Sequence, residues 1–267
     1  MNRISLSIIL AMVLTLAMAM PVLAAPPAND TYAGRVAVGS LPFATSLDTT
    51  EATTDADDAA WNATCGAPAT DASVWYEFVA TSDEILLVDT TGSDYTVGIS
   101  IVVGTPGDFT TVACGPDGVA FEAFAGETYQ IVAFDDQEDG GGNGGLLSLS
   151  IDVAPPPPTV DVTVDPNATF HNATNSVTLT GTVTCEGEAD FAFIDVTLEQ
   201  RAGRLLIRGF GGTDFTCDGT TQPWSIEVFG DNGVFKGGRA TAFVSAFACS
   251  FLCGEDFEQA SLKLRGG

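Results

Sequence analysis

The chain has 267 residues, 45% of them hydrophobic, with 35 acidic against 9 basic side chains and a formal charge of −26 at neutral pH. A surface this acidic repels nucleic acid and anionic membranes and favours solubility, which excludes nucleic-acid partners. Once a leader is removed, about 240 residues suffice for one large or two ordinary domains.

Arg3 and the uncharged run "ISLSIILAMVLTLAMAM" up to Pro21, followed by "VLA" ending at Ala24, have the form of a secretory signal peptide over residues 1–24. An uncleaved anchor is the alternative reading. No second apolar run of roughly 20 residues follows, so the mature chain is expected to lack a membrane span and to be secreted and extracellular. Residues 25–153 form a first domain with one basic residue, Arg35, and "APPPPT" (154–159) is a stiff Pro-rich linker that cannot sit inside a sheet. Residues 160–267 form a second domain that carries most of the cations.

Both domains have the two-residue periodicity of strands. In the first, "SVWYEFVA", "EILLVDTTG", "YTVGISIVVG", the two strands around the Ala-Gly-Glu turn of "VAFEAFAGETYQIVAF" and "LLSLSIDV" are separated by turn residues. The second offers "VDVTVDP", "SVTLTGTVTC", "FIDVTLEQ", "RLLIRGFGG", "PWSIEVFG", "RATAFVSAFAC" and "ASLKLRG". About seven strands in about 110 residues suit an immunoglobulin-like sandwich. Cys185 and Trp224 fall on its inward-facing positions. The fold class expected is therefore all-β: two β-sandwich domains following a signal peptide. The 17 phenylalanines are assigned mostly to core-facing positions, leaving few aromatics to bind carbohydrate or protein.

Six cysteines in an exported chain indicate disulfides. Pairing within domains requires Cys65–Cys114. Cys185–Cys217 with Cys249–Cys253 is the favoured arrangement for the rest, and crossed pairing of those four stays open. The only histidine, His171, lies in the polar, turn-like "PNATFHNATN" and is assigned to a solvated loop. No nucleophile elbow or zinc-protease motif occurs, and oxidised cysteines offer no thiolate, so an enzyme is not expected.

Five segments of the first domain carry a family resemblance: "AND" (28–30), "TTEATTDADD" (49–58), "CGAPATDASVWYEF" (65–78), "VACGPDG" (112–118) and "FEAFAGETYQIVAF" (121–134). In this order they resemble the bacterial pre-peptidase C-terminal domain. The resemblance implies a jelly-roll-like sandwich on a secreted protein, usually an accessory to an exported enzyme or an extracellular protein without one. Relatives in clostridial collagenases bind collagen and hold calcium near the N-terminal edge. Asn29 and Asp30 match that calcium region, and Asp55, Asp57 and Asp58 stand where many relatives have Glu before Pro. Calcium takes six to eight oxygen ligands, and these five residues form the candidate structural calcium set. The second domain resembles small Ig-like domains at the ends of exported actinobacterial proteins, on "VTVDP", "VTLTGTVTC" and "CDGT".

The stretch "FDDQEDGGGNGGLLSLS" (134–150) sets Asp135, Asp136, Glu138 and Asp139 against glycines. It lacks the spacing of an EF-hand or a calcium β-roll. It is expected to be an enlarged hairpin loop, its glycines supplying positive φ and its acids keeping the turn solvated. Together these features predict a non-enzymatic accessory protein for extracellular binding or adhesion. It is expected to be a monomer, possessing an extracellular protein or polysaccharide partner and a structural calcium ion. The alternatives are a structural envelope-associated module without a ligand, and a secreted hydrolase whose site is not recognised.

Overall fold

The computed structural model describes residues 25–54, 56–138 and 140–266. The expected signal peptide lies outside these residues. No helix among them is long and apolar enough to cross a membrane. The fold is all-β. It divides into two compact units, residues up to Glu84 with Val88–Asp152, and Val153–Gly267 with Ile85–Leu87.

The first unit has two sheets. Strands β1 (Val36–Val38), β3 (Asp71–Val79), β8 (Thr128–Asp135), β5 (Val97–Thr105) and β6 (Asp108–Pro116) form one, in that order. Strands β2 (Phe43–Asp48), β9 (Leu146–Val153), β4 (Glu84–Asp89) and β7 (Gly118–Ala123) form the other. Successive side chains of a strand point to opposite faces. On β3, however, Val74, Trp75 and Tyr76 are all buried, so both faces of this strand are covered. A short helix, α1 (Asp58–Cys65), ends at Gly66, whose left-handed φ of 68° closes the last turn. Trp61 of α1 packs with Trp75, Val102, Val132 and Phe134, and the Cys65–Cys114 disulfide ties the helix end to β6.

One expectation fails here. The stretch after β8 is not a hairpin loop, because β8 pairs with β3 and β5 while β9 pairs with β2. Residues 136–145 carry the chain from one sheet to the other. Turn chemistry is local, whereas sheet membership is decided by distant partners.

The second unit contains β10 (Thr159–Val164), β11 (Asn167–His171), β12 (Ser176–Glu186), β13 (Phe191–Ala202), β14 (Leu205–Asp214), β15 (Thr221–Gly230), β16 (Gly238–Cys249) and β17 (Cys253–Gly266). Strand β12 pairs with β11 and with β15. The ladder β12-β11-β17-β16-β13-β14-β15 therefore returns to β12 and closes the sheet on itself, with β10 added along β12. The interior is filled by Leu179, Ile194, Val196, Leu198, Val244 and Phe235 among others. Trp224 joins this core and donates from Nε1 to the carbonyls of Thr163 at 3.1 Å and Thr182 at 3.2 Å. Cys185 is buried as expected, in a separate small cluster with Ala192 and Ala248. The disulfides are Cys185–Cys217 and Cys249–Cys253, so the crossed arrangement does not occur.

Strand β11 corrects the placement of His171. The polar stretch is a strand because Asn167–Phe170 lie parallel to Lys263–Gly266 of β17, whose backbone satisfies its hydrogen bonds. His171 is half-buried, and its Nε2 lies 2.9 Å from Thr178 Oγ1.

Candidate functional site

The candidate calcium residues all have protein partners where they are described. Asn29 is buried and donates from Nδ2 to the Trp75 carbonyl at 3.3 Å, while its own carbonyl accepts from Trp75 N at 2.9 Å. The Asp30 carboxylate accepts from the backbone N–H of Thr53 and, at 2.9 Å, from its hydroxyl. Asp57 precedes α1, and its carbonyl accepts from Ala60 N at 3.0 Å. Asp58 is buried, and its Oδ1 accepts from Trp61 Nε1 at 3.2 Å. Asp55 lies outside the described residues. Among the described residues no three His, Cys, Asp or Glu side chains converge as a metal site.

The acidic, glycine-rich stretch is solvated at Gln137, Glu138 and residues 140–143, as expected, but not at its first two acids. Asp135 and Asp136 are buried. Asp135 accepts from Gln137 N at 2.8 Å through one oxygen and from Gly144 N at 2.9 Å through the other. Asp71 reaches in from β3 to accept from Asn143 N at 2.9 Å. Asp94 accepts from Leu146 N at 2.7 Å. Residues 140–143 of the connection are exposed, and the backbone N–H groups of Gln137, Asn143, Gly144 and Leu146 are taken up by carboxylates. Positive φ falls on Gly140 and Gly144 but also on Gln137 and Asn143. Gly144 is doubly constrained, since a Cβ there would collide with Thr49 Oγ1. Burial raises the Asp136 pKa, with Glu138, Asp135 and Asp117 adding like charge. These acids line no open cation cage; they hold a sheet-to-sheet connection in place.

A different surface stands out in the second unit. On β13 the even-numbered residues Ala192 to Gln200 are buried, and on β16 Ala240 to Ala248. The odd-numbered residues point outward and line up across β14, β13, β16 and β17. Phe210, Thr197, Phe243 and Gln259 share one row, and Gly212, Asp195, Ser245 and Phe257 the next. Asp214, Phe193, Phe247 and Glu255 follow. Phe191, Phe210 and Phe257 are 50%, 57% and 58% exposed. Phe243 and Phe257 stack across a diagonal with centroids 6.4 Å apart, and Phe191, Phe193 and Phe247 form a second cluster at 5.6–6.1 Å. Phe193 lies over Gly212, where a Cβ would strike its ring. Phenylalanine is thus used on the outside of this sheet, contrary to the assignment to the core.

The other end of the same face is cationic. Arg201 stands opposite Leu206, and Arg239 opposite Lys263; Arg208 and Glu199 occupy the next row. Arg201, Leu206, Arg239, Lys263, Glu199 and Thr241 border a cleft of about 740 Å³. The ion pairs among the described residues are Arg35–Glu77 and Arg208–Glu199, so Arg201, Arg239 and Lys263 carry no ion-paired carboxylate. The buried Gln200 amide fixes the cleft wall. It accepts from Lys236 N at 2.8 Å and donates to the carbonyls of Lys236 at 2.7 Å and Arg239 at 3.3 Å.

Residues 158–249 match the model of a family of unknown function, DUF6299. No curated protein matches the chain. Similar solved structures include a β-glucosidase from Listeria innocua, with 13% identity, 41% of this chain and 16% of that one covered, and a TM-score of 0.25. A Bacteroides uniformis β-glucuronidase has 14% identity, 71% and 26% coverage and a TM-score of 0.23. A GH2 β-galacturonidase from Eisenbergiella tayi has 9% identity, 70% and 35% coverage and a TM-score of 0.22. The chain spans at most 35% of the length of these three proteins.

Proposed function

We propose that the protein is a secreted, non-enzymatic accessory protein for extracellular binding or adhesion, and that the outward face of β14-β13-β16-β17 is its binding surface. The observation that carries this reading is the row of exposed phenylalanines on that face. Monomeric proteins rarely leave contiguous apolar patches rimmed by polar groups unless something docks there. Aromatic side chains offer large, rigid contact area. Secretion is supported by three disulfides with no free cysteine among the described residues. In this reading the first unit is the pre-peptidase C-terminal-like domain and the second is Ig-like, and the chain acts as a monomer. Calcium at Asn29 and Asp30 would have a structural role.

The test is retention of the purified protein on insoluble extracellular material such as cell wall, chitin or collagen. Wild type is expected to be retained on at least one, and Phe243→Ala/Phe257→Ala to lose about tenfold in affinity, the ~1.4 kcal/mol of one good aromatic contact. Equal retention of the two proteins would remove the face from the account. Turnover of the matrix would favour the hydrolase, and absence of any retention the ligand-free envelope module.

A further inference from the structure

Resting on that reading of the face, we infer that its occupant is an acidic polysaccharide. Its carboxylates would lie in the cationic cleft, and its sugar rings would run along the strands over the phenylalanines.

The charge distribution argues this first. Seven of the nine basic residues lie beyond the Pro-rich segment. Four of the seven, Arg201, Arg208, Arg239 and Lys263, stand on the first two rows of this one face. Arg208 is paired to Glu199, and the other three have no carboxylate within ion-pair distance among the described residues. Cations grouped without ion-paired carboxylates repel one another and attract an anion, so in a chain of charge −26 this group favours an anionic ligand. Guanidinium groups present a planar fork that matches carboxylates bidentately. The cleft's volume of about 740 Å³ falls in the range of ligand sites and far exceeds the needs of a single inorganic ion.

Continuity argues it second. Along β16 the outward residues run Arg239, Thr241, Phe243, Ser245, Phe247, a path of roughly 27 Å at 3.4 Å per residue. An extended, repetitive ligand with apolar faces as well as charges fits this path, with its carboxylates held at the cationic end because Asp195, Asp214 and Glu255 share the phenylalanine rows. Pyranose rings present C–H faces to aromatic rings, and the intervening Thr197, Thr241, Ser245 and Gln259 can exchange hydrogen bonds with hydroxyls. Single-stranded nucleic acid shares the combination of stacking and charge. Its phosphates are denser than the charges of a uronate chain, and the overall charge of this protein opposes it more strongly. The sparser charges of a uronate chain meet less of that repulsion while still matching the few local cations.

Affinity electrophoresis of the full chain in gels containing polygalacturonate tests the inference, with the fully methyl-esterified polymer as a backbone of equal shape without charge. Retardation by polygalacturonate alone is expected, weakened at least tenfold in Arg239→Ala/Lys263→Ala and likewise in Phe257→Ala. All these side chains point outward, so the variants keep the fold, and their circular dichroism checks that. Equal retardation of wild type and the cation variant overturns the inference, as does equal retardation by the esterified polymer. If wild type passes unretarded while matrix retention still depends on Phe243 and Phe257, the binding reading stands and the acidic ligand falls. Tighter binding of a single-stranded oligodeoxynucleotide than of polygalacturonate overturns it too. So does self-association in sedimentation velocity that Arg239→Ala/Lys263→Ala abolishes, which would give the face to a second copy of the chain.

Discussion

At Asp135 one carboxylate carries two backbone donors of the connection between the sheets. Hydrogen bonds to a charged group contribute about 1.5–3 kcal/mol each, with losses that do not simply add. Asp135→Ala is expected to cost about 2–4 kcal/mol in denaturant unfolding and to speed amide exchange at Gln137 and Gly144; an unchanged midpoint would deny it this role. Its neighbour Asp136 behaves oppositely. Burial raises its pKa, so its contribution to stability is present in full below the ordinary carboxylate pKa and is lost as pH rises through the raised value. Asp136→Asn, neutral throughout, keeps the acceptor for Glu138 N and should raise the melting midpoint at neutral pH. Below the carboxylate range it should make no difference. A variant equal to wild type at both pH values would contradict this. The sequence made the acid cluster and its glycines visible, and the glycine positions of positive φ were legible in part. Which acids are buried was not, because their donors come from Asn143, Gly144 and Gln137 only after two sheets assemble.

Most strands of the second unit were legible from alternation, and "LLSLSIDV" coincides with β9. Strand β11 escaped notice because it is short and polar, held between the adjacent β12 and a parallel partner far along the chain. Helix α1 is a single short amphipathic turn system under the disulfide, too brief for a helical period to show. The phenylalanine face was missed for want of a parity argument that the sequence does contain. On β16 Arg239, Thr241 and Ser245 share parity with Phe243 and Phe247, and on β13 Asp195, Thr197 and Glu199 share it with Phe191 and Phe193. If the polar members face water, so do the phenylalanines, while the small Ala240, Ala242, Ala246 and Ala248 face the packed interior. This separates two kinds of phenylalanine energetically. Phe235→Ala, fully buried, is expected to cost about 3–5 kcal/mol. Phe257→Ala, 58% exposed, should stay within about 0.5–1 kcal/mol of wild type. Chemical denaturation of both variants checks the contrast, and similar losses would mean that the outward assignment of β17 is wrong.

Over the whole molecule, disulfides and charge divide the work between the units. The Cys185–Cys217 bridge closes 32 residues and Cys249–Cys253 only 4. Loop-closure entropy then gives about 3.7 kcal/mol for the first and about 2 kcal/mol for the second. The paired Cys→Ser variants should rank in that order by melting; the reverse order would contradict the entropic account. The first unit carries most of the acidic excess, and the second unit gathers cations and exposed aromatics on one sheet face. The central claim is that contact with extracellular material is made there. Oxidative footprinting of the intact protein, free and bound to the matrix that retains it, tests this most directly. The account predicts protection of Phe210, Phe243 and Phe257 on binding, with Phe124, 49% exposed in the first unit, labelled as before. Protection of Phe124 with Phe257 unchanged would contradict it.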